Sequence, residues 1–266
     1  MKLESSSSIL KAALEEFKPT HIVSMVSGGK DSAASDQIAR ELGVKIDFVM
    51  HGNTRCGIPE TTEFVRDTYG KLGEYVEADA GNAYEEYVMR KGFFGKGVAA
   101  HAYSYRVLKA GPFRKTLSSM IRKGKHNIRI LLLNGARKDE SANRKRTLEV
   151  FRRDPASKNN VWVNLIHDWT LEDRDSYLNS RGTCINPVAK KLCRSGECMC
   201  GTMQSKEERL EAGIAYPKWG RWLDDLEKEA MRLHGFGWND TFKVRETKPE
   251  FQPMCEECKS ITGKEE

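Results

Sequence analysis

The fold of this chain is decided by the stretch Ile22-Val-Ser-Met-Val-Ser-Gly-Gly-Lys-Asp-Ser32. Its apolar first half predicts a buried strand, and residues 33–42 continue with the periodicity of a helix. Two glycines between a strand and a helix let the backbone turn tightly and approach an anion closely. The start of the helix directs free N–H groups and the positive end of its dipole at that anion, and Lys30 adds a mobile positive charge. The stretch therefore predicts a phosphate site.

The spacing of this loop distinguishes it from the commonest nucleotide-binding loop. A Walker A loop places four residues between its first glycine and its Gly-Lys pair, whereas here both glycines directly precede Lys30. A glycine-rich turn with incidental polar residues is the alternative interpretation. We predict that the loop holds the phosphates of a nucleotide. We call it the phosphate cradle, and it consists of Ser27, Gly28, Gly29, Lys30, Asp31 and Ser32.

Length and composition limit the class of protein. A chain of 266 residues can bury a full core, as one large domain or as one domain with an appendage. No apolar run approaches the ~20 residues that span a bilayer, and the first residues lack the apolar core of a signal peptide. We therefore expect a cytoplasmic protein without a membrane partner. Seven cysteines then favour metal binding or redox chemistry over a disulfide framework.

Positive charge is concentrated in one part of the chain. The formal net charge is +6, and residues 106–129 contain Lys and Arg but neither Asp nor Glu. Further arginines and lysines follow between residues 137 and 153. Such a block favours a polyanionic partner, either a nucleic acid or a phosphorylated nucleotide. A solvated helix face is the alternative interpretation.

Strand-like and helical segments alternate along the first two thirds of the chain. Apolar β-type runs cover residues 22–26, 44–50, 128–133 and 161–166, with a short strand expected near Tyr75. This alternation predicts an α/β fold with a doubly wound, mostly parallel sheet. Ligands bind beyond the carboxyl ends of such strands, so the loops that follow the strands should converge on one site. Residues 5–8 are expected to be loose.

Two further motifs follow predicted strands. His51-Gly-Asn-Thr54 leads to Pro59-Glu-Thr61, and Gly135-Ala-Arg-Lys-Asp-Glu-Ser-Ala-Asn-Arg144 follows the third apolar run. Arg137 and Arg144 carry forked donors that suit phosphate or sulfate. Ordinary surface arginines at the start of a helix are the alternative interpretation. The additional nucleotide-binding candidates in these motifs are His51, Gly135 and Glu140.

With these three motifs the chain resembles the phosphoadenosine phosphosulfate (PAPS) reductase family of ATP pyrophosphatases, from about His21 to Cys200. The phosphate cradle is similar to its PP-loop, and the other two motifs are similar to its "DTG…FPET" and "GxRxxES…R" segments. The resemblance implies an adenine nucleotide α-hydrolase-like fold. It also implies cleavage of ATP between its α and β phosphates, which leaves AMP on a substrate oxygen. The residues that this reaction would use are Lys30, Asp31, Arg137 and Arg144.

Two departures separate the chain from the sulfonucleotide reductases of that family. Those reductases carry a modified loop without the lysine, whereas Lys30 is present here. They also have a Glu-Cys-Gly-Leu/Ile-His motif or an adjacent Cys-Cys pair, and this sequence has neither. A thiol- or cluster-dependent reductase of PAPS or adenylyl sulfate is therefore the second interpretation. The first is an enzyme that activates its substrate with ATP.

Cysteines are concentrated after residue 182. We predict a catalytic domain over residues 1–182 and a cysteine-rich, metal- or cluster-binding region over residues 183–266. Four thiolates suit either tetrahedral Zn²⁺ or a [4Fe–4S] cluster, while free buried thiols are the alternative. The predicted ligands are Cys193, Cys198, Cys200 and Cys255, with Cys258 or Cys184 as the other candidates for the fourth position.

Cys56 lies apart from these cysteines, in the loop after the second predicted strand. We predict that it faces the nucleotide, where its thiol would carry a persulfide or attack an adenylate. A plain loop thiol is an equal alternative.

Within the family, the sequence is most similar to the ATP pyrophosphatases of DNA phosphorothioation, the DndC and SspD type. This resemblance implies ATP and Mg²⁺ as cofactors, a cysteine desulfurase as sulfur donor, and nucleic acid, DNA above all, as acceptor. A tRNA or a small molecule also fits as acceptor. A zinc-bearing nucleic-acid-binding module without catalysis is the third interpretation.

Overall fold

A twisted sheet carries the fold. The computed structural model describes residues 2–72, 75–121, 127–155 and 157–240, and within them the strand order is β3-β2-β1-β4-β6-β5. The strands are β1 His21–Val26, β2 Phe48–Asn53, β3 Tyr75–Asp79, β4 Ile130–Asn134, β5 Phe151–Asp154 and β6 Ser157–Asn164. Neighbouring strands of this described sheet are parallel except β5 and β6, which are antiparallel. The predicted doubly wound, mostly parallel α/β fold is confirmed.

Helices cover the sheet and extend beyond it. They are α1 Lys2–Phe17, α2 Lys30–Glu41, α3 Pro59–Tyr69, α4 Ala83–Lys91, α5 Val98–Tyr105, α6 Gly111–Met120, α7 Ala142–Thr147, α8 Leu171–Ser180, α9 Pro187–Leu192, α10 Lys206–Ala215 and α11 Pro217–His234. The expectation of loose residues at 5–8 is wrong, because they lie inside α1. There the buried Ser6 hydroxyl donates a hydrogen bond to the Leu165 carbonyl at 2.8 Å. In the described residues, no helix combines the length and apolar character that a membrane crossing needs.

A long helical arm lies over one face of the sheet. Residues 98–120, which we call the helical arm, run through α5, a π-helical turn at Arg106–Ala110 and α6. Leu117 of the arm is buried in the same apolar cluster as Met25 of β1 and Leu132 of β4. The opposite face of β4 presents Leu131 to a second cluster. Burial on both faces explains why β4 is an uninterrupted apolar run.

The strand order reverses next to β1. The chain passes from β1 to β2 and β3 on one side, then returns to place β4 on the other side. A crevice opens at such a switch point, beyond the carboxyl ends of the two central strands. The phosphate cradle follows β1 and the segment Gly135–Arg144 follows β4. Two of the three sequence motifs therefore meet at the crevice.

The residues after 182 share a core with the elements before them. Cys200, Trp219 and Leu223 pack in one buried cluster with Tyr84 of α4 and Leu108 of the helical arm. The indole Nε1 of Trp219 donates a hydrogen bond to the carbonyl of Cys56 at 3.2 Å. The division at residue 182 stays a prediction.

β5 is missing from the sequence prediction because its composition conceals it. The strand Phe151-Arg-Arg-Asp154 contains two adjacent arginines. It forms the outer edge of the sheet and pairs only with β6 in the described sheet. Charged residues are typical of edge strands, because they discourage pairing with another chain.

Leu223→Ala tests the shared core. Leu223 is fully buried, so we expect the variant to lose about 2–5 kcal/mol of unfolding free energy, measured by urea denaturation. Leu233→Ala on the same helix is the matched control, because Leu233 is 44% exposed. A single transition that shifts to lower urea supports one cooperative core. Two separate transitions, with only one displaced, would show that the C-terminal region folds independently.

Candidate active site

A cavity of about 690 Å³ opens at the carboxyl ends of the central strands. Its wall includes Ser27, Asp31 and Ser32 of the phosphate cradle and Gly135 of the loop after β4. Tyr105, Lys109 and Phe113 of the helical arm form another side of the wall. The volume lies within the range of ordinary ligand sites.

The phosphate cradle exposes the start of α2. Gly29 is the N-cap residue, and no side-chain hydrogen bond caps this helix within the described part of the chain. The first N–H groups of a helix have no partner inside it, so those of α2 are available to an anion. Two hydrogen bonds of the Ser32 side chain hold the loop in this conformation. The Ser27 N–H donates to the Ser32 hydroxyl at 3.1 Å, and that hydroxyl donates to the Gly29 carbonyl at 2.9 Å.

Close backbone approaches hold the cradle against its neighbours. A Cβ at Gly135 would overlap the Asp31 carbonyl, so only glycine lets the loop after β4 approach α2 this closely. Gly28 has a φ of +71°, and a Cβ there would lie 2.8 Å from a methyl group of Thr61. The Asn186 side-chain amide also donates to the Gly28 carbonyl at 3.1 Å. The predicted motif residues Gly28 and Gly135 therefore shape the site through their backbone.

Asp31 is the centre of a buried charge cluster. Its Oδ1 atom accepts from Arg137 Nε at 2.5 Å and from an Arg174 guanidinium nitrogen at 3.0 Å. The side chain of Arg137 is 3% exposed. Burial lowers the pKa of Arg174, but the attraction of Asp31 and Asp175 outweighs it, and the net pKa is raised. The cluster ties the cradle to the loop after β4 and to α8.

Arg137 lies behind the wall of the cavity, and its predicted catalytic role stays a prediction. It is not among the described residues that line the cavity. Its backbone N–H donates to Glu140 Oε1 at 2.9 Å, and its guanidinium nitrogen NH1 is buried without a hydrogen-bond partner among the described residues. Arg137 therefore binds the Asp31 carboxylate from the protein side and does not line the cavity.

Arg144 and Glu140 do line the cavity. The Arg144 guanidinium donates to Glu140 Oε1 at 2.6 Å, and its side chain is 43% exposed. Its side chain is therefore accessible from the cavity, and its predicted contact with a phosphate stays a prediction.

Lys30 pairs with a residue of α8. Its Nζ lies 3.4 Å from both carboxylate oxygens of Asp175. Burial raises the pKa of Asp175, but Arg174 and Lys30 outweigh it and the net pKa is lowered. Lys30 is not among the described residues that line the cavity, although Asp31 and Ser32 of the same helical turn are.

His51 is buried beneath the site. Its Nδ1–H donates to the Val26 carbonyl at 3.0 Å, which joins the ends of β1 and β2. Burial lowers the pKa of the ring, so the folded protein favours the neutral form. His51 is not among the described residues that line the cavity, whereas the neighbouring Gly52 lines it and lies next to the Phe113 ring.

Residues 193–200, which we call the cysteine loop, pack against the segment that joins β2 to α3 and lie beside the cradle, where a Cβ at Gly29 would be 3.5 Å from the Ser195 side chain. The Thr61 hydroxyl donates a hydrogen bond to the Ser195 carbonyl at 2.5 Å, and the Thr54 hydroxyl donates one to the Glu197 carbonyl at 2.7 Å. A Cβ at Gly57 would overlap the Glu197 carbonyl. Ser195 and Glu197 both line the cavity. The loop therefore forms part of the same site as the phosphate cradle.

A buried ion pair joins this loop to the helical arm. Lys109 and Glu197 form a salt bridge in which the Glu197 side chain is 4% exposed, and both line the cavity. Burial lowers the pKa of Lys109, but the attraction of Glu197 outweighs it and raises the net pKa. Sequence reasoning placed Lys109 only within a basic run, because nothing in that run indicates a partner far along the chain.

Three of the cysteines lie close together in the described part of the chain. Cys56 and Cys200 are buried and Cys198 is partly buried. The Cys200 thiol lowers the pKa of Cys198, but contact with the Cys56 thiol and burial outweigh it and raise the net pKa. Cys56 therefore contacts the cysteine loop, and it is not among the described residues that line the cavity.

The remaining cysteines lie apart or outside the described residues. Cys184 and Cys193 are exposed, and Cys255 and Cys258 lie outside the described ranges. Within those ranges, no group of three or more His, Cys, Asp or Glu side chains is arranged to hold a metal ion. The ligand set with Cys193 and Cys255 stays a prediction.

The chain matches the phosphoadenosine phosphosulfate reductase domain family over residues 21–203. It belongs to this family. It is similar in structure to the phosphoadenylyl-sulfate (PAPS) reductase from Candida auris in a phosphate complex, with 13% identity, 70% of this chain and 83% of that chain covered, and a TM-score of 0.47. It is also similar to the U34-tRNA thiolase NcsA from Methanococcus maripaludis with its [4Fe-4S] cluster. The two sequences are 12% identical, the match covers 100% of this chain and 89% of that chain, and the TM-score is 0.42. No curated protein sequence matches it.

Arg174→Ala tests the buried cluster around Asp31. Removal of a buried hydrogen-bonded charge should cost about 1.5–3 kcal/mol of unfolding free energy and weaken MgATP binding, measured by calorimetry. Arg181→Ala is the control, because its ion pair with Glu41 is on the surface and its loss should change the stability little. Equal effects of the two variants would contradict a special role for Arg174.

His51 predicts a pH dependence of stability. Its pKa in the folded protein is lowered by burial, while in the unfolded chain it is about 6.5. Below about pH 6.5 the unfolded state therefore takes up a proton that the folded state excludes, and stability falls by up to about 1.4 kcal/mol per pH unit. The free energy of unfolding, measured by urea denaturation at several pH values between 7.5 and 5, should fall less steeply with falling pH for His51→Gln than for the wild type. Identical slopes would contradict it, and His234→Gln on α11 is the control.

Proposed function

We propose that this protein is an ATP pyrophosphatase that adenylates a substrate oxygen for sulfur transfer to nucleic acid, with DNA phosphorothioation as the specific reaction. The observation that carries the proposal is the uncapped start of α2 in a cavity that the cysteine loop also lines. Nucleotide activation and sulfur chemistry would thus share one site. Membership of the PAPS reductase domain family supports a sulfur-related nucleotide chemistry.

The cradle suits the pyrophosphate part of ATP. Its free helical N–H groups are hydrogen-bond donors that need no rearrangement when the anion binds. Arg144 lines the same cavity and would stabilise charge on the reacting phosphates. Carboxylates also line the wall, so ATP would enter as its Mg²⁺ complex, which offsets their repulsion. These carboxylates are Asp31, Glu140, Glu149 and Glu197.

The proposed reaction has two displacements. A phosphate oxygen of the acceptor attacks the α phosphorus of ATP, the α–β bridge breaks, and pyrophosphate leaves. A sulfur nucleophile then attacks the acceptor phosphorus, and the former oxygen leaves with AMP. Adenylation is needed because a phosphate oxygen is otherwise a poor leaving group. The sulfur donor would be a persulfide supplied by a cysteine desulfurase, and its outer sulfur forms the new bond to phosphorus. A thiol then attacks the inner sulfur, so that the S–S bond breaks and the phosphorothioate keeps the outer sulfur. The disulfide that remains is returned to two thiols by an external thiol reductant.

The cysteine loop would supply the sulfur side of the site. Cys56, Cys198 and Cys200 are soft ligands that suit a [4Fe–4S] cluster or Zn²⁺, with Cys255 or Cys258 as further ligand candidates. The described residues alone form no such holding group, so a bound cluster would depend on cysteines beyond residue 240. When bound, it would hold or relay sulfur next to the activated phosphate.

Reduction of a sulfonucleotide is the second candidate, because the family carries that activity in its name. The same cavity would then hold PAPS or adenylyl sulfate. Release of sulfite from either nucleotide identifies this reaction.

Pyrophosphate release tests the proposal. With MgATP, DNA and a persulfide donor we expect AMP and pyrophosphate in equal amounts, detected by chromatography and a coupled phosphatase assay. Arg144→Ala, which removes a cation from the cavity wall, should lower the rate by about 10²–10³-fold, while Lys11→Ala, an exposed lysine of α1, should not change it. Production of ADP and phosphate, or sulfite from PAPS without any ATP turnover, would contradict the proposal.

A further inference from the structure

A second cavity continues from the first, away from the phosphate cradle. It has a volume of about 200 Å³, and we call it the recess. Both cavities share wall residues, which are Met25, Tyr105, Phe113, Arg152 and Trp162. Of the described residues that line the recess, none belongs to the cradle or to the segment Gly135–Arg144. A ligand with its phosphates at the cradle therefore leaves the recess at the far end of the same cleft.

The recess lies between the helical arm and the β5–β6 hairpin. The arm contributes Phe113 and Leu117, and the hairpin contributes Arg152 and Trp162. In the antiparallel register Arg152 is paired with Trp162, and its guanidinium lies 5.8 Å from the ring centroid. An aromatic ring that a guanidinium covers at the mouth of an apolar slot is a typical surface for a stacked base.

Phe113 is held in place from below. A Cβ at Gly52 would lie 2.8 Å from the Phe113 Cζ atom, so the glycine at the end of β2 makes room for this ring. The π-helical turn Arg106–Ala110 immediately precedes α6 and sets which face of the arm points to the sheet. Such turns are frequent at functional sites. The aromatic wall is therefore built into the fold at the site itself.

A buried hydrogen-bond donor of Arg114 lies at the rim of the recess. The Arg114 side chain forms an ion pair with Asp154 at 3.3 Å, yet its Nε–H is buried without a hydrogen-bond partner among the described residues. Arg114 and Arg152 both line the recess. A buried donor without a partner costs free energy, so a ligand that accepts this hydrogen bond would be stabilised there.

We infer that the recess binds an unstacked base of the acceptor nucleic acid, with Trp162 and Phe113 as aromatic walls and Arg152 and Arg114 at the rim. This inference rests on the proposed function for the choice of acceptor. The base would lie in the recess while its phosphate extends into the main cavity towards the cradle. Stacking on aromatic side chains is tolerant of base identity, since every base has a π face.

Fluorescence of a base analogue tests the inference. A single-stranded DNA oligonucleotide with one 2-aminopurine, and its RNA counterpart, are titrated with the full-length protein, and stacking in the recess should quench the emission. Trp162→Ala and Arg152→Ala should weaken binding by about 5- to 150-fold, which corresponds to the ~1–3 kcal/mol that one stacked base contributes. Trp162→Phe should retain most of the affinity, because it keeps an aromatic ring.

Arg153→Ala is the matched control, because Arg153 is adjacent on β5 but lies over the Phe17 ring at 5.3 Å, on the other face. Arg114→Ala should weaken oligonucleotide binding but leave the MgATP affinity, measured by calorimetry, unchanged, because Arg114 lines the recess and not the main cavity. An equal loss of ATP affinity would overturn the inference, because the recess would then hold the adenine of ATP. Unchanged oligonucleotide binding and quenching in all variants would overturn it as well.

The readout is binding, not turnover. If no pyrophosphate is released but Trp162→Ala still loses oligonucleotide affinity, the proposed reaction fails while the recess stands. If pyrophosphate release depends on DNA and the recess variants bind DNA normally, the reaction stands and the recess is refuted.

Discussion

The site depends on the buried charge cluster that Asp31 forms with Arg137 and Arg174. These three side chains come from α2, the loop after β4 and α8, so one set of hydrogen bonds fixes three elements at the switch point of the sheet. Buried arginines are expensive to desolvate, and removal of one partner leaves an uncompensated charge. The cluster therefore favours an arrangement in which all three elements are assembled together, and the free N–H groups of α2 point into the cavity as a consequence.

Close packing of backbone extends this arrangement to the cysteine loop. Gly135 lies against the Asp31 carbonyl and Gly57 against the Glu197 carbonyl, with no space for a Cβ at either position. The Asn186 amide also links the Gly28 carbonyl to the region after residue 182. Dense packing of this kind leaves little space for independent displacement of either part. The cysteine loop and the phosphate cradle are therefore held together by backbone contacts in the described residues.

The sequence predicts well what is encoded locally. Apolar alternation, two glycines and a helix start identify β1, the cradle and the parallel sheet, because these signals lie within about ten neighbouring residues. Arg174 and Lys109 escape prediction, since their partners Asp31 and Glu197 are distant in the chain. The same reason explains Cys56, whose contact with Cys198 depends on how the cysteine loop folds back. Arg137 is identified by its motif, but the motif does not give the direction of the side chain, and its buried contact with Asp31 becomes visible only in the fold.

The charges of the cavity wall determine what kind of ligand it can hold. Lys109 is paired with Glu197, and Arg144 with Glu140, so much of the positive charge of these cations is already balanced by protein carboxylates. A polyanion must therefore gain its binding energy from the α2 N–H groups, from its own Mg²⁺ and from parts remote from the phosphates. An aromatic recess at the far end of the cleft supplies such a remote part, and binding energy from remote groups is what positions a reacting phosphate. Because the charges of the wall nearly balance, the cavity attracts anions only weakly in general. The aromatic recess would add binding energy for a ligand that carries a base.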